Sequence, residues 1–409
     1  MRSLIIRGGR PLAGEIPISG SKNAVLPMLA ATVLFREPCL IRNVPDLTDV
    51  DAALEILTIL GAKVCRRGTD LEIDPRSVSR WEIPRELMVR MRGSVFFAGP
   101  LLARFGRCRL TVPGGCPLGQ RPVDFHAMGL KALGAEEDGD IYSGSLTGGR
   151  IRLPYPSVGA TENLILAALG ASGTTTIQNA AREPEIVCLC GFLRSGGASV
   201  SGDGTDTLIV TGGLPDRGEH TVIPDRMEAA TYLCACASAG GAIRLNGAEH
   251  SHLTAVLDAL ERAGCRLKRQ TEFIEIKSGA LYSPGIIETA PYPGFPTDAQ
   301  APFMAAMLRL RGEAIIRETV FDGRMAHVSG LRAMGGRIRR EGNIALITGV
   351  NRLLGAEVTA TDLRGGAALV CAALAAEGES IVRGMHHILR GYGHFTEKLR
   401  ALGADIRPA

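Results

Sequence analysis

The chain has 409 residues, more than a single hydrophobic core usually organises, so its length predicts two domains. Hydrophobic residues make up 45% of the chain and charged residues 22%, which is typical of a soluble globular protein and excludes a charge-rich disordered one. The formal charge is only +4, from 46 basic and 42 acidic residues, and aromatic residues are only 4%. The chain therefore lacks both the bulk positive charge and the aromatic platforms that bind nucleic acids, and we expect no nucleic-acid partner.

Cysteine and histidine spacing argues against disulfides and metal sites. The ten cysteines are scattered without the C-x-x-C or paired Cys/His spacings of zinc sites, and the eight histidines show no metal spacing either. The N-terminal apolar run ends after three residues, and later apolar stretches are diluted by Ala, Gly and charges. We therefore expect no signal peptide, no membrane span and a reducing, cytoplasmic location.

A short phrase recurs six times: an apolar residue, a glycine, a small residue and an extended segment. Its glycines are separated by 73, 63, 67, 71 and 68 residues and lie at Gly61, Gly134, Gly197, Gly264, Gly335 and Gly403. In each case the pattern predicts a helix that ends on a left-handed glycine and is followed by a strand. The chain is therefore predicted to contain six α/β repeats, divided most simply into two domains of three.

In chain order, each repeat opens with a helix of small and apolar residues, and a strand follows it. The opening helices are predicted near residues 22–35, 92–104, 160–171, 226–239, 298–311 and 363–376. The strands are predicted at residues 39–44, 108–113, 174–179, 241–246, 313–319 and 379–384. A second helix before the closing glycine is clearest at residues 49–60, 123–133, 253–263 and 394–402. Because the opening helices are apolar nearly all round, we expect them to be buried inside sheets.

Cations stand at four of the six predicted helix starts, at Lys22, the Arg90/Arg92 pair, Arg226 and Arg364. Helix N-termini attract anions through their backbone N–H groups and dipoles, so this pattern favours a cleft that binds phosphate or carboxylate groups. The usual nucleotide motifs do not fit. Neither G-x-x-x-x-G-K-[ST] nor a strand followed by G-x-G-x-x-G occurs.

Residues 113–122, PGGCPLGQRP, are predicted to form a loop that is long enough to act as a lid, because they include three glycines and three prolines. Within it, Cys116 lies among glycines and near Arg121, where backbone N–H groups and a cation favour a thiolate. The pattern alone leaves two interpretations of Cys116 open, a catalytic group or an incidental small apolar residue.

Along essentially its whole length, the sequence resembles the UDP-N-acetylglucosamine 1-carboxyvinyltransferases, a family of enolpyruvyl transferases. The matching stretches are GSKNAVLP (20–27), VRMRGS (89–94), PGGCPLGQRPVD (113–124), SVGATEN (157–163), NAAREPEIV (179–187), PDRMEAATYL (224–233), FPTDAQ (295–300), ETVFDGRMAHV (318–328), ATDLRGGAALV (360–370) and HILRGY (387–392). The resemblance implies a two-domain inside-out α/β barrel with three repeats in each domain. Its domains would be residues 22–223 and residues 1–21 plus 224–409, with the active site in the cleft between them.

The resemblance also implies an activity: transfer of the enolpyruvyl group of phosphoenolpyruvate to the 3-hydroxyl of UDP-N-acetylglucosamine, the first committed step of peptidoglycan synthesis. Phosphate would leave through a tetrahedral intermediate, without a metal or other cofactor. The implied catalytic residues are Cys116 as general acid, Asp298 as base, Lys22 and Arg390. Those implied for phosphoenolpyruvate are Lys22, Asn23, Arg121, Arg390, Arg324 and Arg364. Those implied for the UDP-sugar are Arg92, Arg121, Pro122, Val123, Asp124, Phe125, Ser157, Val158, Gly159, Asp298 and Val320.

Two positions depart from the family pattern: Tyr155 stands where some members have lysine, and Leu389 where an acidic residue is common. Two alternative functions are considered. A 5-enolpyruvylshikimate-3-phosphate synthase is disfavoured because that enzyme lacks the PGGC and RPVD runs, and a non-catalytic UDP-sugar-binding paralogue is disfavoured because every expected catalytic residue is present. The expected partners are the two small-molecule substrates, with no obligate protein partner. The cysteine at position 116 implies inactivation by fosfomycin.

Overall fold

The structure, a computed structural model, describes residues 3–90, 92–111 and 123–409, without the side chains of residues 89, 90 and 92. These residues form two compact units. The first unit comprises residues 3–19 and 224–409, and the second comprises residues 20–111 and 123–223.

The α-helices of the described residues are α1 (Lys22–Ala31), α2 (Thr48–Leu60), α3 (Arg85–Arg90), α4 (Ala98–Phe105), α5 (Asp124–Ala132), α6 (Val158–Ala168), α7 (Pro184–Ser195), α8 (Arg226–Ala239), α9 (Thr254–Arg262), α10 (Thr297–Met307), α11 (Val328–Ala333), α12 (Leu363–Ala375), α13 (Met385–Ile388) and α14 (Phe395–Ala401). All six predicted opening helices are present, as α1, α4, α6, α8, α10 and α12. Four of them differ from the prediction by more than one residue at an end. The first continues beyond Ala31 only as a 3₁₀ turn, in which the Thr32 hydroxyl donates a hydrogen bond to the Leu29 carbonyl oxygen at 2.7 Å. The second begins as a 3₁₀ segment, Arg92–Phe97, and becomes α-helical only at Ala98. The third begins two residues earlier, at Val158, and ends at Ala168 instead of residue 171, and the fifth ends at Met307 instead of residue 311.

The strands of the described residues are β1 (Ser3–Arg7), β2 (Leu12–Pro17), β3 (Cys39–Arg42), β4 (Lys63–Arg67), β5 (Asp70–Asp74), β6 (Arg107–Arg109), β7 (Glu136–Asp138), β8 (Ile141–Ser143), β9 (Arg150–Arg152), β10 (Thr174–Gln178), β11 (Ser199–Ser201), β12 (Thr207–Thr211), β13 (Glu219–Thr221), β14 (Gly241–Asn246), β15 (Arg266–Arg269), β16 (Phe273–Ser278), β17 (Ile286–Glu288), β18 (Glu313–Arg317), β19 (Arg337–Glu341), β20 (Ile344–Thr348), β21 (Glu357–Thr359), β22 (Glu379–Arg383) and β23 (Asp405–Pro408). All six predicted strands that follow an opening helix are present, as β3, β6, β10, β14, β18 and β22.

Sheet topology repeats from one α/β repeat to the next. Five four-stranded sheets have the orders β13-β3-β5-β4, β9-β10-β12-β11, β2-β14-β16-β15, β17-β18-β20-β19 and β21-β22-β1-β23. In each of them the first pair is parallel and the other two pairs are antiparallel. A sixth sheet, β6-β8-β7, is antiparallel over its described strands. The sheets thus follow the predicted sixfold repeat, three in each unit.

The closing glycines have the backbone that the sequence predicted. All six have a positive φ, from 85° at Gly403 to 110° at Gly61. In this left-handed region a side chain would be strained, so glycine is the favoured residue at each position. The recurring phrase around each closing glycine therefore correctly predicts a left-handed turn at all six positions.

The opening helices form the interior of each unit. In the first unit α8, α10 and α12 pack against one another, and α10 is buried continuously from Ala299 to Met307. In the second unit α4 and α6 pack together, and α1 contacts α6. Because α10 and α12 are neighbours, the side chains at their first turns can meet. Of the helices in the described ranges, none has the length and apolar character needed to cross a membrane.

Candidate active site

Lys22 lies in the first turn of α1, where its ammonium group is paired with an acid. The Lys22 Nζ atom is 2.7 Å from a carboxylate oxygen of Asp49, and the two side chains are 12% and 7% exposed. The Ser21 hydroxyl caps the helix by accepting a hydrogen bond from the Ala24 N–H at 3.3 Å. The half-buried Asn23 follows directly. This helix start thus holds a cation and an amide in positions where they could receive a phosphate or carboxylate group.

The glycine before Ser21 has a steric role. A Cβ atom at Gly20 would lie 1.8 Å from the Asn43 carbonyl oxygen, so a larger residue could not be accommodated without a backbone shift. Asn43 itself has a left-handed φ of 58°, and its Nδ2 atom donates to the Val222 carbonyl oxygen at 2.9 Å. The close approach explains in physical terms why the run GSKN begins with glycine.

Asp298, in the first turn of α10, is held by two arginines. The Arg324 Nη2 atom lies 2.5 Å from Asp298 Oδ1, and the Arg364 Nε atom lies 3.1 Å from Asp298 Oδ2. Both guanidinium side chains are 3% exposed, whereas that of Asp298 is 26% exposed. Two buried cations favour the ionised carboxylate, and the carboxylate is the part of this trio that solvent can reach. Three residues that the sequence predicted from three separate stretches thus lie together.

Glu318 is a buried residue to which the sequence analysis gave no role. Its carboxylate accepts hydrogen bonds at 2.9 Å from the Thr289 hydroxyl, the Thr297 hydroxyl and the Val320 N–H. It therefore connects the first residue of α10 to Val320 and holds the segment around Asp298 in place. Nothing in its spacing within the ETVFDGR stretch distinguishes it from a surface glutamate.

Arg364 makes a second contact, on its other side. Its guanidinium carbon lies 5.1 Å from the centroid of the Tyr392 ring, and Tyr392 is 1% exposed. Arg390, a predicted ligand of phosphoenolpyruvate, is half-buried two residues before Tyr392, and Leu389 is half-buried beside it. Arg390 and Arg364 therefore belong to the same unit as Asp298.

At two of the predicted anion-binding helix starts, the chain supplies its own carboxylate. Asp225 Oδ1 accepts from the Met227 and Glu228 N–H groups at 2.8 and 2.9 Å, and Asp362 Oδ1 accepts from the Gly365 N–H at 2.8 Å. These capping bonds take up first-turn donors of α8 and α12. These N–H groups therefore do not bind a substrate anion as predicted, because an aspartate caps them.

The two stretches predicted to contact the UDP-sugar meet at the starts of α5 and α6. Val123, Asp124 and Phe125 lead into α5, and Ser157, Val158 and Gly159 begin α6, where the Ser157 hydroxyl accepts from the Ala160 N–H at 3.4 Å. His126 joins them. Its Nδ1 atom is 2.9 Å from Asn163 Nδ2, and a Cβ atom at Gly159 would lie 3.6 Å from the His126 ring. Neither His126 nor Asn163 was predicted from the sequence as a site residue. Tyr155, the position of the missing lysine, is exposed just before Ser157 and accepts a hydrogen bond from the Ser157 N–H through its carbonyl oxygen.

Among the described residues, His327 and Glu162 are two of the buried ionisable groups whose pKa values are displaced. Burial lowers the pKa of His327 to about 4, nearby Arg324 also lowers it, and Asp362 opposes the shift. The imidazole is therefore neutral at physiological pH, and neither ring nitrogen has a hydrogen-bond partner among the described residues. Burial, together with the neighbouring Glu185 and Glu183, raises the pKa of Glu162 well above its usual range.

Four predicted site residues are not described in full. Cys116, Arg121 and Pro122 lie outside the described residues, as does the side chain of Arg92. The cysteines of the described residues are free thiols, and all of these except Cys65 are buried. Burial raises the pKa of Cys108, for example, to about 12, so such thiols stay protonated. Within residues 3–90, 92–111 and 123–409, no cluster of His, Cys, Asp and Glu could hold a metal ion.

Known proteins with similar sequences cover almost the whole chain. The family model described as EPSP synthase (3-phosphoshikimate 1-carboxyvinyltransferase) matches residues 6–399. A curated UDP-N-acetylglucosamine 1-carboxyvinyltransferase of Desulfosudis oleivorans is 44% identical over 414 residues, covering 100% of this chain and 99% of the relative. One of Idiomarina loihiensis is 45% identical over 409 residues, with 98% of both chains covered.

Solved structures support the same fold. The enolpyruvyl transferase NikO from Streptomyces tendae superposes with a TM-score of 0.90 at 27% identity, covering 99% of this chain and 98% of that one. EPSP synthase from Acinetobacter baumannii superposes with a TM-score of 0.74 at 17% identity over all of both chains, a likeness of fold alone. The predicted fold class is therefore confirmed.

Proposed function

The chain belongs to the EPSP synthase family of enolpyruvyl transferases and, within it, to the UDP-N-acetylglucosamine 1-carboxyvinyltransferases, and from this membership we propose its reaction. It transfers the enolpyruvyl group of phosphoenolpyruvate to the 3-hydroxyl of UDP-N-acetylglucosamine and releases phosphate. The product enters peptidoglycan synthesis. Because both substrates are cytoplasmic metabolites, we propose the cytoplasm as the location of the enzyme.

The observation that carries the proposal is the carboxylate of Asp298 between Arg324 and Arg364. In the proposed reaction the oxygen of the sugar 3-hydroxyl bonds to C2 of phosphoenolpyruvate, and the Asp298 carboxylate accepts the proton of that hydroxyl. Two guanidinium groups keep the carboxylate ionised but also make it a weak base. The proton is therefore transferred late, once the attacking oxygen has begun to carry positive charge and its proton has become acidic.

Phosphoenolpyruvate carries a phosphate and a carboxylate, so its site needs several fixed cations. We assign Lys22, Asn23, Arg121 and Arg390 to this substrate, with Arg324 and Arg364 adding positive charge. Cys116 donates a proton to C3 while the C2–O bond forms, which gives a tetrahedral intermediate. The C2–O bond to phosphate then breaks as the phosphate takes the proton held by Asp298, C3 returns a proton to the Cys116 thiolate, and the C2–C3 double bond is restored. Cations fixed where negative charge develops lower the barrier without having to reorganise.

The UDP-sugar is assigned to two stretches of the chain and to three further residues. The first stretch is residues 121–125, of which residues 123–125 lead into α5, the second is residues 157–159 at the start of α6, and the further residues are Arg92, Asp298 and Val320. The His126–Asn163 hydrogen bond and the hydrogen bond of Glu318 to Val320 support this assignment, because they fix the backbone of the residues involved. Holding both substrates in position would supply roughly 7–11 kcal/mol of the barrier reduction in a favourable case.

The proposal is tested by phosphate release from phosphoenolpyruvate, measured with UDP-N-acetylglucosamine or with shikimate 3-phosphate as acceptor. We expect release with the UDP-sugar alone, and its loss after treatment with fosfomycin. The Asp298→Asn protein serves as the matched control, because it keeps the size of the side chain and should be nearly inactive.

The outcomes separate the alternatives. Release with shikimate 3-phosphate would assign the sister activity. If a protein that melts cooperatively and binds the UDP-sugar released no phosphate with either acceptor, this would indicate a non-catalytic UDP-sugar-binding paralogue.

A further inference from the structure

Behind Asp298 lies a buried polar connection that the proposed reaction does not use directly. It runs from Arg364 to Tyr392 and on to Thr231 in α8, and these three residues are 2%, 1% and 1% exposed. Such a set of polar groups costs free energy to bury unless the groups satisfy each other. Because apolar residues could fill the same space without this cost, we expect these residues to have a role beyond packing.

The donors and acceptors along this connection can be assigned. The Thr231 hydroxyl donates its single proton to the Met227 carbonyl oxygen at 2.9 Å. The Tyr392 hydroxyl oxygen lies 2.7 Å from Thr231 Oγ1, so the phenol must be the donor in that contact. Burial raises the pKa of Tyr392 to about 12, although Arg364 opposes the shift, so the phenol keeps the proton that this assignment requires.

Arg364 has few other restraints. Its Nε atom bonds Asp298, its guanidinium lies against the Tyr392 ring, and its Nη1 atom is buried without a hydrogen-bond partner among the described residues. Arg324, the other arginine that contacts Asp298, has an additional restraint. It follows the segment around Val320 and Phe321, whose N–H groups donate hydrogen bonds to Glu318. Tyr392 is thus one of the groups that set the direction of the Arg364 Nε atom.

We propose that Tyr392 is a positioning residue for the transfer reaction, which holds the Arg364 guanidinium so that the Asp298 carboxylate keeps the orientation needed to accept the 3-hydroxyl proton. The proposal rests on the proposed function. Thr231 fixes the rotation of the phenol, and the phenol ring fixes the plane of the guanidinium. A small misorientation of a reacting group can reduce the rate by up to ~10²-fold, so the contact has kinetic consequences.

The test uses the full chain, with phosphate release measured with both substrates varied. We expect Tyr392→Phe and Thr231→Val, which break the same hydrogen bond, each to lower kcat by about 10-fold. The two KM values should stay within about twofold, because neither residue contacts a substrate in the proposed site. The kcat of the double variant should be no lower than that of the slower single variant, because both substitutions remove the same Tyr392–Thr231 hydrogen bond.

A matched control is Tyr232→Phe. Tyr232 lies in the same core and, like Tyr392, packs against Phe395, but its buried hydroxyl has no hydrogen-bond partner among the described residues. This variant should keep the wild-type kcat. Thermal unfolding of all variants then shows whether any loss of rate comes from unfolding.

The decisive measurement combines Tyr392→Phe with Asp298→Asn. If Tyr392 acts through Asp298, the added substitution should not slow the already impaired Asp298→Asn protein further. A full additional 10-fold loss, or a rise in KM without a change in kcat, would overturn the positioning role while leaving the proposed function intact. A folded wild-type protein without turnover would overturn the proposed function, and the positioning role with it.

Discussion

The Lys22 ammonium nitrogen lies 2.7 Å from a carboxylate oxygen of Asp49. The cation that we assign to phosphoenolpyruvate is thus held by an acid from α2, in the same unit. Both side chains are largely buried, so the pair fixes the position of the ammonium group at the start of α1. Asp49 is therefore expected to orient Lys22, and Lys22 to contact the substrate.

This arrangement predicts different results for the two members of the pair. Lys22→Met should raise the KM for phosphoenolpyruvate by ~10-fold or more, because a charge-assisted contact is worth about 1.5–3 kcal/mol. The KM for the UDP-sugar should change little. Asp49→Asn keeps the cation and should raise the KM for phosphoenolpyruvate much less. Steady-state kinetics with each substrate varied in turn checks this, and an equal rise of both KM values in Lys22→Met would contradict the assignment.

Replacement of Asp298 should slow the chemical step. Asp298→Ala and Asp298→Asn should both lower kcat by ~10²-fold or more and leave the substrate dissociation constants within a few-fold of wild type. The reason is that the carboxylate acts on a proton in the transition state, and the neutral amide cannot accept it. Equilibrium binding of UDP-N-acetylglucosamine and single-turnover kinetics separate the two effects. A rise in KM with unchanged kcat would count against a role as base.

The sequence predicts the regular parts of the fold well because their signals are local. A left-handed glycine such as Gly61 or Gly264 is visible from the residues beside it, and all six such glycines have the predicted backbone. The ends of the opening helices are less predictable. The 3₁₀ turn after Ala31, in which the Thr32 hydroxyl bonds the Leu29 carbonyl oxygen, has no counterpart in the hydrophobic pattern.

Partners within the candidate site are harder to predict than its members. Asp298, Arg324 and Arg364 are recognisable by resemblance, but their mutual contact depends on the packing of α10 against α12. Asp49 reads in the sequence as one more acid in the first turn of a helix, and Glu318 as a surface residue. Only the three-dimensional structure shows that Asp49 pairs with Lys22 and that Glu318 is buried.

Cys116 allows a prediction that separates catalysis from inhibition. Cys116→Asp should retain measurable turnover, because a carboxylic acid can also donate a proton to C3 of phosphoenolpyruvate. It should be insensitive to fosfomycin, because the variant has no sulfur for the epoxide to alkylate. The check is residual activity after incubation with fosfomycin, with the wild-type protein treated in parallel. Persistent inhibition of the variant would place the reactive group elsewhere.

His327 predicts a loss of stability at acidic pH. Its folded pKa of about 4 lies below the ordinary value of 6.5, so its contribution to stability is complete above pH 6.5 and is lost as pH falls towards 4. The loss should be on the order of 3 kcal/mol, because each pKa unit corresponds to about 1.4 kcal/mol. In His327→Gln the free energy of unfolding should fall less across this window. Denaturant unfolding at several pH values measures it, with the exposed His394→Asn as the control whose pH dependence should follow wild type.

Glu162 should affect stability in the opposite pH direction. Glu162 is 1% exposed, and neither of its carboxyl oxygens has a hydrogen-bond partner among the described residues. Burial and the nearby Glu185 and Glu183 raise its pKa above the ordinary value of 4.5, so the folded chain keeps a proton that the unfolded chain releases. Stability is therefore lost as pH rises above 4.5, by up to about 1.4 kcal/mol per pH unit until the folded pKa is reached.

Glu162→Gln removes this titration, because the amide has the shape of the protonated acid and never ionises. The free energy of unfolding of the variant, relative to wild type, should increase steadily as the pH is raised from 4.5 to 8. Glu136→Gln, a change at an exposed glutamate in the same unit, should show no such trend. A difference between Glu162→Gln and wild type that stays constant over this range would mean that Glu162 is ionised in the folded protein, and that a cation or a donor compensates its charge.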